Sequence, residues 1–388
     1  MAIHNFSHVR ISCLSVVVPP NEINIFDEAQ YYDNNIRQIE RMKRKVGFYK
    51  RRVVDTDTCA EDLALASAKN LIKDNNIDKN SINALIYVHQ QSAYRGVTDA
   101  YELHHKLDLS SDCIATGILQ GCAGWVYGLY LCSMLVESGA HKKILLLNAD
   151  TPSKGADPAD RNNTPIFGDG GYATLLEYSE SPLDSYYNIT ALSNGYDKII
   201  TPGHGSRLYY DFRQSSESAF NAPIIEPFTS KAGYKTRLTD GQLDGNAVFE
   251  FTINKVPLQI KETMEYLGLK PEDFSQLCLH QANKQIVQSI AKIVQFPLEK
   301  TDSEPFSIYG NNTMCSIPTV LSCQHQKNGK FEDKPYLCCA YGNGLVSVTA
   351  VLDLKNCRCS VIKDFEKGED FKTREQWIEY LKEKFGQQ

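Results

Sequence analysis

No stretch of this chain approaches the roughly 18 uninterrupted apolar residues that a membrane-crossing helix needs. A basic excess is missing too: 41 Lys and Arg stand against 47 Asp and Glu, for a net charge of −6, so nucleic acid is not an expected partner. The opening segment, Met1 to Ser12, has no apolar block of the kind an export signal carries, and the expected compartment is the cytoplasm. The 12 cysteines follow no regular framework, which without an export signal reads as reduced thiols, most of them small core residues. One cluster, Cys338-Cys339 with Cys357-Arg358-Cys359, fails as a metal site. Adjacent cysteines on a strand point to opposite faces and the spacing matches no zinc pattern, so no metal is expected.

What is present is an ordinary globular composition, 42% hydrophobic and 23% charged over 388 residues, which excludes disordered and fibrous classes. Helical spacing predicts helices over Cys59 to Asn75, Val97 to Leu107, Cys122 to Gly139, Asn254 to Leu267 and Asn283 to Val294. Short β-branched or Leu-rich runs between them predict strands at Ala84 to Val88, Cys113 to Ile118, Lys143 to Asn148, Gln276 to Leu279, Pro335 to Ala340 and Leu345 to Leu354. Such alternation implies a layered α/β fold with covered sheets. Strand and helix at Cys113 to Gly139 are echoed at Gln276 to Val294, which suggests two similar halves meeting at one site.

The expected organisation is a first half over residues 1–180, an irregular cap over 181–244, a second half over 245–355 and a tail over 356–388. The cap contains Leu208-Tyr209-Tyr210-Asp211-Phe212, which could line a substrate channel or pack the cap onto the body. In the tail, Thr373 and Gln376 predict a capping box, followed by an apolar stripe of Trp377, Tyr380, Leu381 and Phe385 for docking on the body or on a second subunit.

Three residues carry candidate chemistry. Cys122 stands at the junction of a strand-like and a nearly all-apolar helical stretch, where unpaired N–H groups and the helix dipole would favour a thiolate. His280 ends a short apolar run, where an imidazole can point out of a strand edge. Asn311 follows Gly310, which frees the backbone to bring a carboxamide close to a ligand. Cys, His and Asn together suit acyl chemistry. Arg37 to Arg52 holds eight basic residues against the single acid Glu40, either a solvated face or a patch for a phosphate-bearing ligand or an acidic carrier.

With these motifs in order, the chain resembles the β-ketoacyl-acyl-carrier-protein synthase III group of the thiolase superfamily. The resemblance rests on Gly121-Cys122-Ala123-Gly124, Ile166-Phe167-Gly168-Asp169-Gly170-Gly171, His280-Gln281-Ala282-Asn283, Tyr309-Gly310-Asn311 through Ile317-Pro318, and Tyr341-Gly342-Asn343-Gly344, and covers residues 8 to 354. It implies a five-layered αβαβα thiolase-like fold from two pseudo-duplicated halves, a homodimer, and acyl-CoA or acyl-carrier-protein thioesters as substrates with no permanently bound cofactor. Cys122 would take the acyl group. His280 and Asn311 would hold the malonyl thioester carbonyl during loss of carbon dioxide, and the N–H groups of Cys122 and Asn343 would form the second oxyanion site.

The resemblance further places Lys45, Arg161, Phe167, Gly245, Phe249, Asn283 and Tyr341 at the coenzyme A or pantetheine site. Departures are equally specific. Arg41 replaces the aromatic that stacks on adenine, Gln120-Gly121 replaces the usual Ala-Ala ahead of the nucleophile, Asn343 stands between the glycines of the last loop, and Gly96-Val97 replace a bulky aromatic that closes the acyl pocket. They point to a specialised decarboxylative synthase of lipid or polyketide type. The alternatives are an acyltransferase or thioesterase on the same scaffold, with His280 as base toward a hydroxyl, amine or water, and a non-catalytic partner subunit. On the synthase reading, Cys122→Ala abolishes acylation, whereas His280→Ala and Asn311→Ala spare acylation and lose decarboxylation.

Overall fold

The structure is a computed structural model that describes residues 3–155, 157–161, 164–205, 226–230, 233, 235–369 and 371–386. Strands β1 (Ile3–Phe6) and β2 (Val9–Val18) open the chain, and the hairpin partners β3 (Asn21–Asn24) and β4 (Lys50–Val53) flank helix α1 (Ile36–Lys45). Then come α2 (Ala60–Asp74), β5 (Ala84–His89), α3 (Asp99–Lys106), β6 (Ile114–Leu119), α4 (Gly124–Glu137), β7 (Lys143–Asp150), β8 (Gly170–Tyr178) and β9 (Ser185–Ala191). The second half runs α5 (Gly245–Leu267), β10 (Gln276–Leu279), α6 (Lys284–Ile293), α7 (Glu304–Tyr309), α8 (Ser316–Asn328), β11 (Tyr336–Gly342) and β12 (Val346–Leu352). Short strands β13 (Arg358–Cys359) and β14 (Lys363–Asp364) both pair with β2, and α9 (Arg374–Phe385) follows.

Two large sheets carry the fold, one in the order β13-β2-β8-β7-β5-β6 and one in the order β1-β9-β12-β11-β10. Their central strands, such as β7 and β11, are buried on both faces, and period-2 alternation sends successive residues into different cores. On β7, Ile144 and Leu146 face the central core while Leu145, Leu147 and Ala149 face the outer one under α2 and α3. On β11, Cys338 faces the central core and Cys339 the outer one under α5 and α6, so the adjacent cysteines do point apart. Between the sheets lie α4 and α8. Trp125, Val126, Leu129 and Cys132 on α4 and Ile317, Val320 and Leu321 on α8 join residues of both sheets in one core. A helix buried on all sides must be apolar on all sides, which is what α4 is. The layers are therefore α2/α3, sheet, α4/α8, sheet, α5/α6, the five-layered αβαβα thiolase-like arrangement that the motifs imply.

The duplication holds, with a different pairing from the one the sequence suggests. In the first sheet β5 runs parallel to β7, which is antiparallel to β8, itself antiparallel to β2. In the second, β10 runs parallel to β11, which is antiparallel to β12, itself antiparallel to β9. So β10 answers to β5, and α8 to α4. The strand ends keep the echo as Val88-His89-Gln90 and Leu279-His280-Gln281.

Other differences have local causes. Ser185–Ala191 is a strand, β9, inside the stretch read as irregular; its alternating Tyr, Asn and Thr hide a place between β1 and β12 in the sheet. Helix α5 begins at Gly245 rather than Asn254, capped by Asp244, whose side chain accepts the Ala247 N–H, with Pro257 in its interior. The Leu208–Phe212 cluster lies outside the described residues. At the end of the chain the capping box forms, Thr373 N–H donating to Gln376 Oε1 at 2.8 Å, and Trp377 meets Tyr94 edge-on at 6.2 Å. No α9 residue is buried.

Candidate active site

Cys122 sits in the turn between β6 and α4, half-buried, against the end of β11. A Cβ on Gly342 would lie 2.7 Å from Cys122 Cβ and 3.2 Å from its Sγ, so only glycine lets that strand end pass the thiol. The expected thiolate is not what the surroundings favour. Burial pushes the thiol pKa up to about 12, and the nearby Asp150 carboxylate adds to the rise. The helix dipole falls off within its first turn, and α4 starts two residues later at Gly124; desolvation wins, and the resting group is S–H.

His280 follows β10 and is held from three sides. Its N–H donates to Cys339 O at 3.0 Å, its carbonyl accepts from Tyr341 Oη at 3.1 Å, and its ring packs edge-on against the Tyr341 ring at 5.3 Å. Burial lowers its pKa to about 4, so the imidazole is neutral, as the condensing role requires. Nδ1 lies 2.8 Å from Ser316 Oγ, at the start of α8. That hydroxyl is also 2.9 Å from Thr313 O, to which it can donate, and accepts from the Gln281 N–H at 3.2 Å.

Asn311 is joined to the same hub. Its Oδ1 accepts from the Thr313 N–H at 3.1 Å, which fixes the carboxamide orientation and leaves Nδ2 as the donor. Thr313 itself has φ 49, the left-handed region that a β-branched residue avoids. The glycine-rich turn is what clamps Asn311. Asn311 N–H donates to Ile166 O at 2.6 Å and Gly168 N–H to Asn311 O at 3.1 Å, an approach so close that a Cβ on Gly168 would be 2.0 Å from Tyr309 O. The sequence motifs around residues 168 and 311 are thus one bridge.

Cys122 meets Gly342, Gly342 follows Tyr341, Tyr341 packs on His280, and Thr313 links His280 to Asn311, so contacts run step by step from the thiol to the imidazole and the carboxamide. Sequence reasoning missed four supporting groups. Thr313 and Ser316 lay inside a quoted motif without a role. Gln90 and Asp150 had signals that could have found them: Gln90 repeats the His-Gln strand end, and Asp150 is an acid closing an otherwise apolar strand. Asp150 is fully buried, accepts from Gln90 Nε2 and from the Thr151 N–H at 3.0 Å, and has its pKa raised to about 6 by burial.

The expected oxyanion pair differs from expectation at one point. The Cys122 N–H already donates to Asn343 Oδ1 at 3.3 Å. Among the remaining predicted residues, Lys45 is exposed at the end of α1, Phe167 is half-buried beside Asn311, and Gly245 and Phe249 lie exposed at the start of α5. Asn283 caps α6, its oxygen accepting from the Ile286 N–H at 2.8 Å, and Tyr341 is buried under His280. Arg161 pairs with Asp33 at 3.0 Å and lies over the Tyr32 ring. The basic run divides. Arg51 is buried and forks onto Glu28 at 2.6 Å, and Lys50 pairs with Glu22 at 2.7 Å, while Arg37, Arg41, Lys43, Arg44 and Lys45 are exposed. Among the described residues no group of acidic, His and Cys side chains is arranged to hold a metal ion.

Residues 117–195 match the family model of 3-oxoacyl-(acyl-carrier-protein) synthase III, and residues 264–354 match that of its C-terminal part. A Campylobacter jejuni protein with the provisional name 3-oxoacyl-(acyl-carrier-protein) synthase 3 is 32% identical over 356 residues, 90% of this chain and 95% of that protein. The β-ketoacyl-(acyl-carrier-protein) synthase III of Lactococcus lactis is 29% identical, covering 89% of this chain and 99% of that one. The crystal structure of a 3-oxoacyl-(acyl-carrier-protein) synthase from Burkholderia xenovorans superposes with a TM-score of 0.82 at 26% identity, covering 94% of this chain and 99% of the other.

Proposed function

Because this chain belongs to the 3-oxoacyl-(acyl-carrier-protein) synthase III family, we propose that it condenses an acyl thioester with a malonyl thioester through an acyl-Cys122 intermediate. The observation that carries the reading is the neutral His280 joined to Asn311 through Thr313, beside a protonated thiol. In the first half-reaction the Cys122 proton passes to the free ring nitrogen of His280 as Sγ bonds to the thioester carbonyl carbon. The tetrahedral intermediate collapses, the carrier sulfur leaves, and the imidazolium returns the proton to it. In the second, the bond from the malonyl Cα to its carboxylate breaks and carbon dioxide leaves. The enolate oxygen is held by His280 N–H and Asn311 Nδ2, two neutral donors that need no buried counter-charge. The enolate carbon then attacks acyl-Cys122, the new C–C bond forms, and the departing sulfur takes a proton from solvent.

The halves need opposite tautomers of His280, a bare ring nitrogen first and an N–H second, and Ser316 can serve both. Its single proton has two acceptors in reach, Thr313 O at 2.9 Å and His280 Nδ1 at 2.8 Å. With the proton on Thr313, Nδ1–H donates to Ser316 and Nε2 is a base. With it on Nδ1, Nε2–H is a donor.

For the donor, the exposed basic face of α1 with neighbouring exposed Lys284 favours an acidic acyl-carrier protein, while Arg161 is engaged with Asp33. A second copy of the chain is favoured by the first sheet's edge. There, among the described residues, β6 pairs with β5 alone and exposes Ile114 and Leu119, the latter 74% exposed, beside Val97 and Tyr101. With Gly96-Val97 in place of a bulky aromatic, the acyl pocket accommodates a longer or wider chain, in keeping with specialised lipid or polyketide synthesis.

The test is a panel of acyl-carrier-protein and acyl-CoA thioesters, with the Cys122 adduct followed by intact mass before malonyl-carrier protein is added. Adduct loss with release of carbon dioxide is the expected result. Loss to water or an alcohol without it identifies the scaffold as an acyltransferase or thioesterase instead. Sedimentation of Leu119→Lys against the parent protein reads the second copy: a monomer is expected for the variant.

A further inference from the structure

Two departures from the family pattern meet at one point beside the nucleophile. The Asn343 carboxamide accepts the Cys122 N–H at 3.3 Å, and its Nδ2 donates to Gln90 Oε1 at 3.1 Å. Gln90 Nε2 in turn donates to Asp150, which is fully buried at the end of β7. Direction is fixed along this chain. A carboxylate accepts, so Gln90 turns its nitrogen to Asp150 and its oxygen to Asn343, and Asn343 turns its nitrogen to Gln90 and its oxygen to Cys122. Reversing either amide would set donor against donor.

Space at the same point is equally specific. A Cβ on Gly121 would lie 1.8 Å from Asn343 Oδ1 and 2.4 Å from both Cγ and Nδ2. The usual alanine ahead of the nucleophile and the asparagine in the last loop exclude one another in this arrangement. Gly121 and Asn343 are one feature.

We infer that Asn343, oriented by Gln90 and Asp150, occupies the acyl oxyanion site of the resting protein and yields it to a thioester whose carbonyl displaces the carboxamide, so that these three residues set which donors acylate Cys122. The inference rests on the reading of Cys122 as the acylated nucleophile. An amide oxygen left beside a developing oxyanion opposes it, so the carboxamide must leave before the tetrahedral intermediate forms. Leaving breaks two neutral hydrogen bonds, from Cys122 N–H to Oδ1 and from Nδ2 to Gln90, partly offset by those the substrate makes. That sets the effect at roughly tenfold in acylation rate.

The experiment compares the full-length protein with Asn343→Gly, Gln90→Met and Gly121→Ala/Asn343→Gly. Rates of Cys122 acylation by short and medium acyl-carrier-protein thioesters are read by quenched intact mass, and rates of alkylation by iodoacetamide are measured in parallel, with folding checked by thermal melting. Alkylation displaces iodide and forms no oxyanion, so it does not need the site that Asn343 occupies. Asn343→Gly is expected to acylate about tenfold faster with alkylation unchanged, Gln90→Met to lie between it and the parent, and the double variant to keep the gain because the Cβ now has room. Acylation no faster in Asn343→Gly and Gln90→Met overturns the inference. So does alkylation that rises in step with acylation, because the carboxamide is then only a steric shield. A parent protein that forms no adduct with any donor overturns the reading of Cys122 itself, and that failure is visible without the variants.

Discussion

Removing one hydroxyl, in Ser316→Ala, should slow both half-reactions while leaving the nucleophile and both donors in place. Ser316 is 1% exposed, and its Oγ contacts His280 Nδ1 at 2.8 Å, the Gln281 N–H at 3.2 Å and Thr313 O at 2.9 Å. Alanine deletes all three contacts, leaves the Gln281 N–H buried without the hydroxyl it donated to, and strips the His280 ring of its Ser316 contact while the Thr313 peptide group stays beside it. An orphaned buried group costs about 1–3 kcal/mol against about 1 kcal/mol for the hydrogen bond lost from each pair. The orphaned Gln281 N–H weakens the fold alone and should lower the melting temperature. The lost contact at Nδ1 acts on catalysis, because the hydroxyl that can either donate to or accept from that nitrogen is gone, and roughly 1.4–2.8 kcal/mol there is about 10- to 10²-fold in rate. The assay measures single-turnover acylation by intact mass and carbon dioxide release from malonyl-carrier protein, each beside a melting curve. Ser316→Thr keeps the hydroxyl and should recover most of both rates. A Ser316→Ala protein that melts lower yet runs both halves at parent rates would refute the tautomer argument and leave Ser316 a packing residue.

Other outcomes follow from the same geometry. Since the thiol is protonated at rest, His280→Ala should slow acylation as well as decarboxylation, whereas Asn311→Ala should spare acylation and lose about 10²- to 10³-fold in carbon dioxide release; equal effects on acylation would sink the division of roles. With Cys122 near 12 and His280 near 4, the acylation rate should be level from about pH 7 to about pH 9, and a rise tracking thiolate formation would contradict a buried thiol. Gly342→Ala puts a Cβ 2.7 Å from Cys122 Cβ and 3.2 Å from its Sγ, so the strand end and the thiol must move apart; acylation should fall and the melting temperature with it, followed by the mass assay beside a melting curve. Glu61 is buried near Asp99, and burial, then that neighbouring charge, holds its carboxyl above the usual range. A raised folded pKa gives stability that is complete below the unfolded value and lost as pH rises through the folded one. Glu61→Gln has nothing to ionise, so its melting temperature should gain on the parent from about pH 4.5 to about pH 8 and no further above that; a constant gap across that range would show that the folded protein holds Glu61 no more protonated than the unfolded chain does.

The layers were legible because continuous apolar strands and an all-apolar helix leave few other ways to bury them. Cys122, His280 and Asn311 stand out in the sequence because glycine, the strand end and the apolar helix mark them locally. What failed was whatever depends on a distant partner. The β9 strand reads as irregular because its Tyr and Asn residues are satisfied by neighbours such as Thr263 on α5 and Ser133 on α4. A helix end argues for a thiolate at Cys122, but burial of the thiol, with Gly342 of β11 packed against it from more than two hundred residues away, outweighs it. The pairing of the halves went astray for the same reason: which strands correspond is set by parallel or antiparallel partners, and those lie outside any sequence window.

The protonation states point to a thiol and an imidazole that stay uncharged until substrate arrives. A protonated thiol and a neutral imidazole in a desolvated site carry none of the attraction that a resting thiolate–imidazolium pair would supply. Nothing is therefore spent holding such a pair together, and nothing must be dismantled when a thioester enters. Charge appears with the tetrahedral intermediate and again with the enolate, each time where fixed donors wait in a low-dielectric setting and gain most from it. That ordering explains why the supporting groups are themselves neutral or accept hydrogen bonds through neutral relays. Ser316, Thr313 and Tyr341 hold His280 with hydroxyl and peptide groups, and the Asp150 carboxylate reaches the nucleophile's N–H through Gln90 and Asn343. A carboxylate placed directly on His280 would raise its pKa, favour imidazolium at rest, and take away the bare nitrogen that the first half-reaction needs.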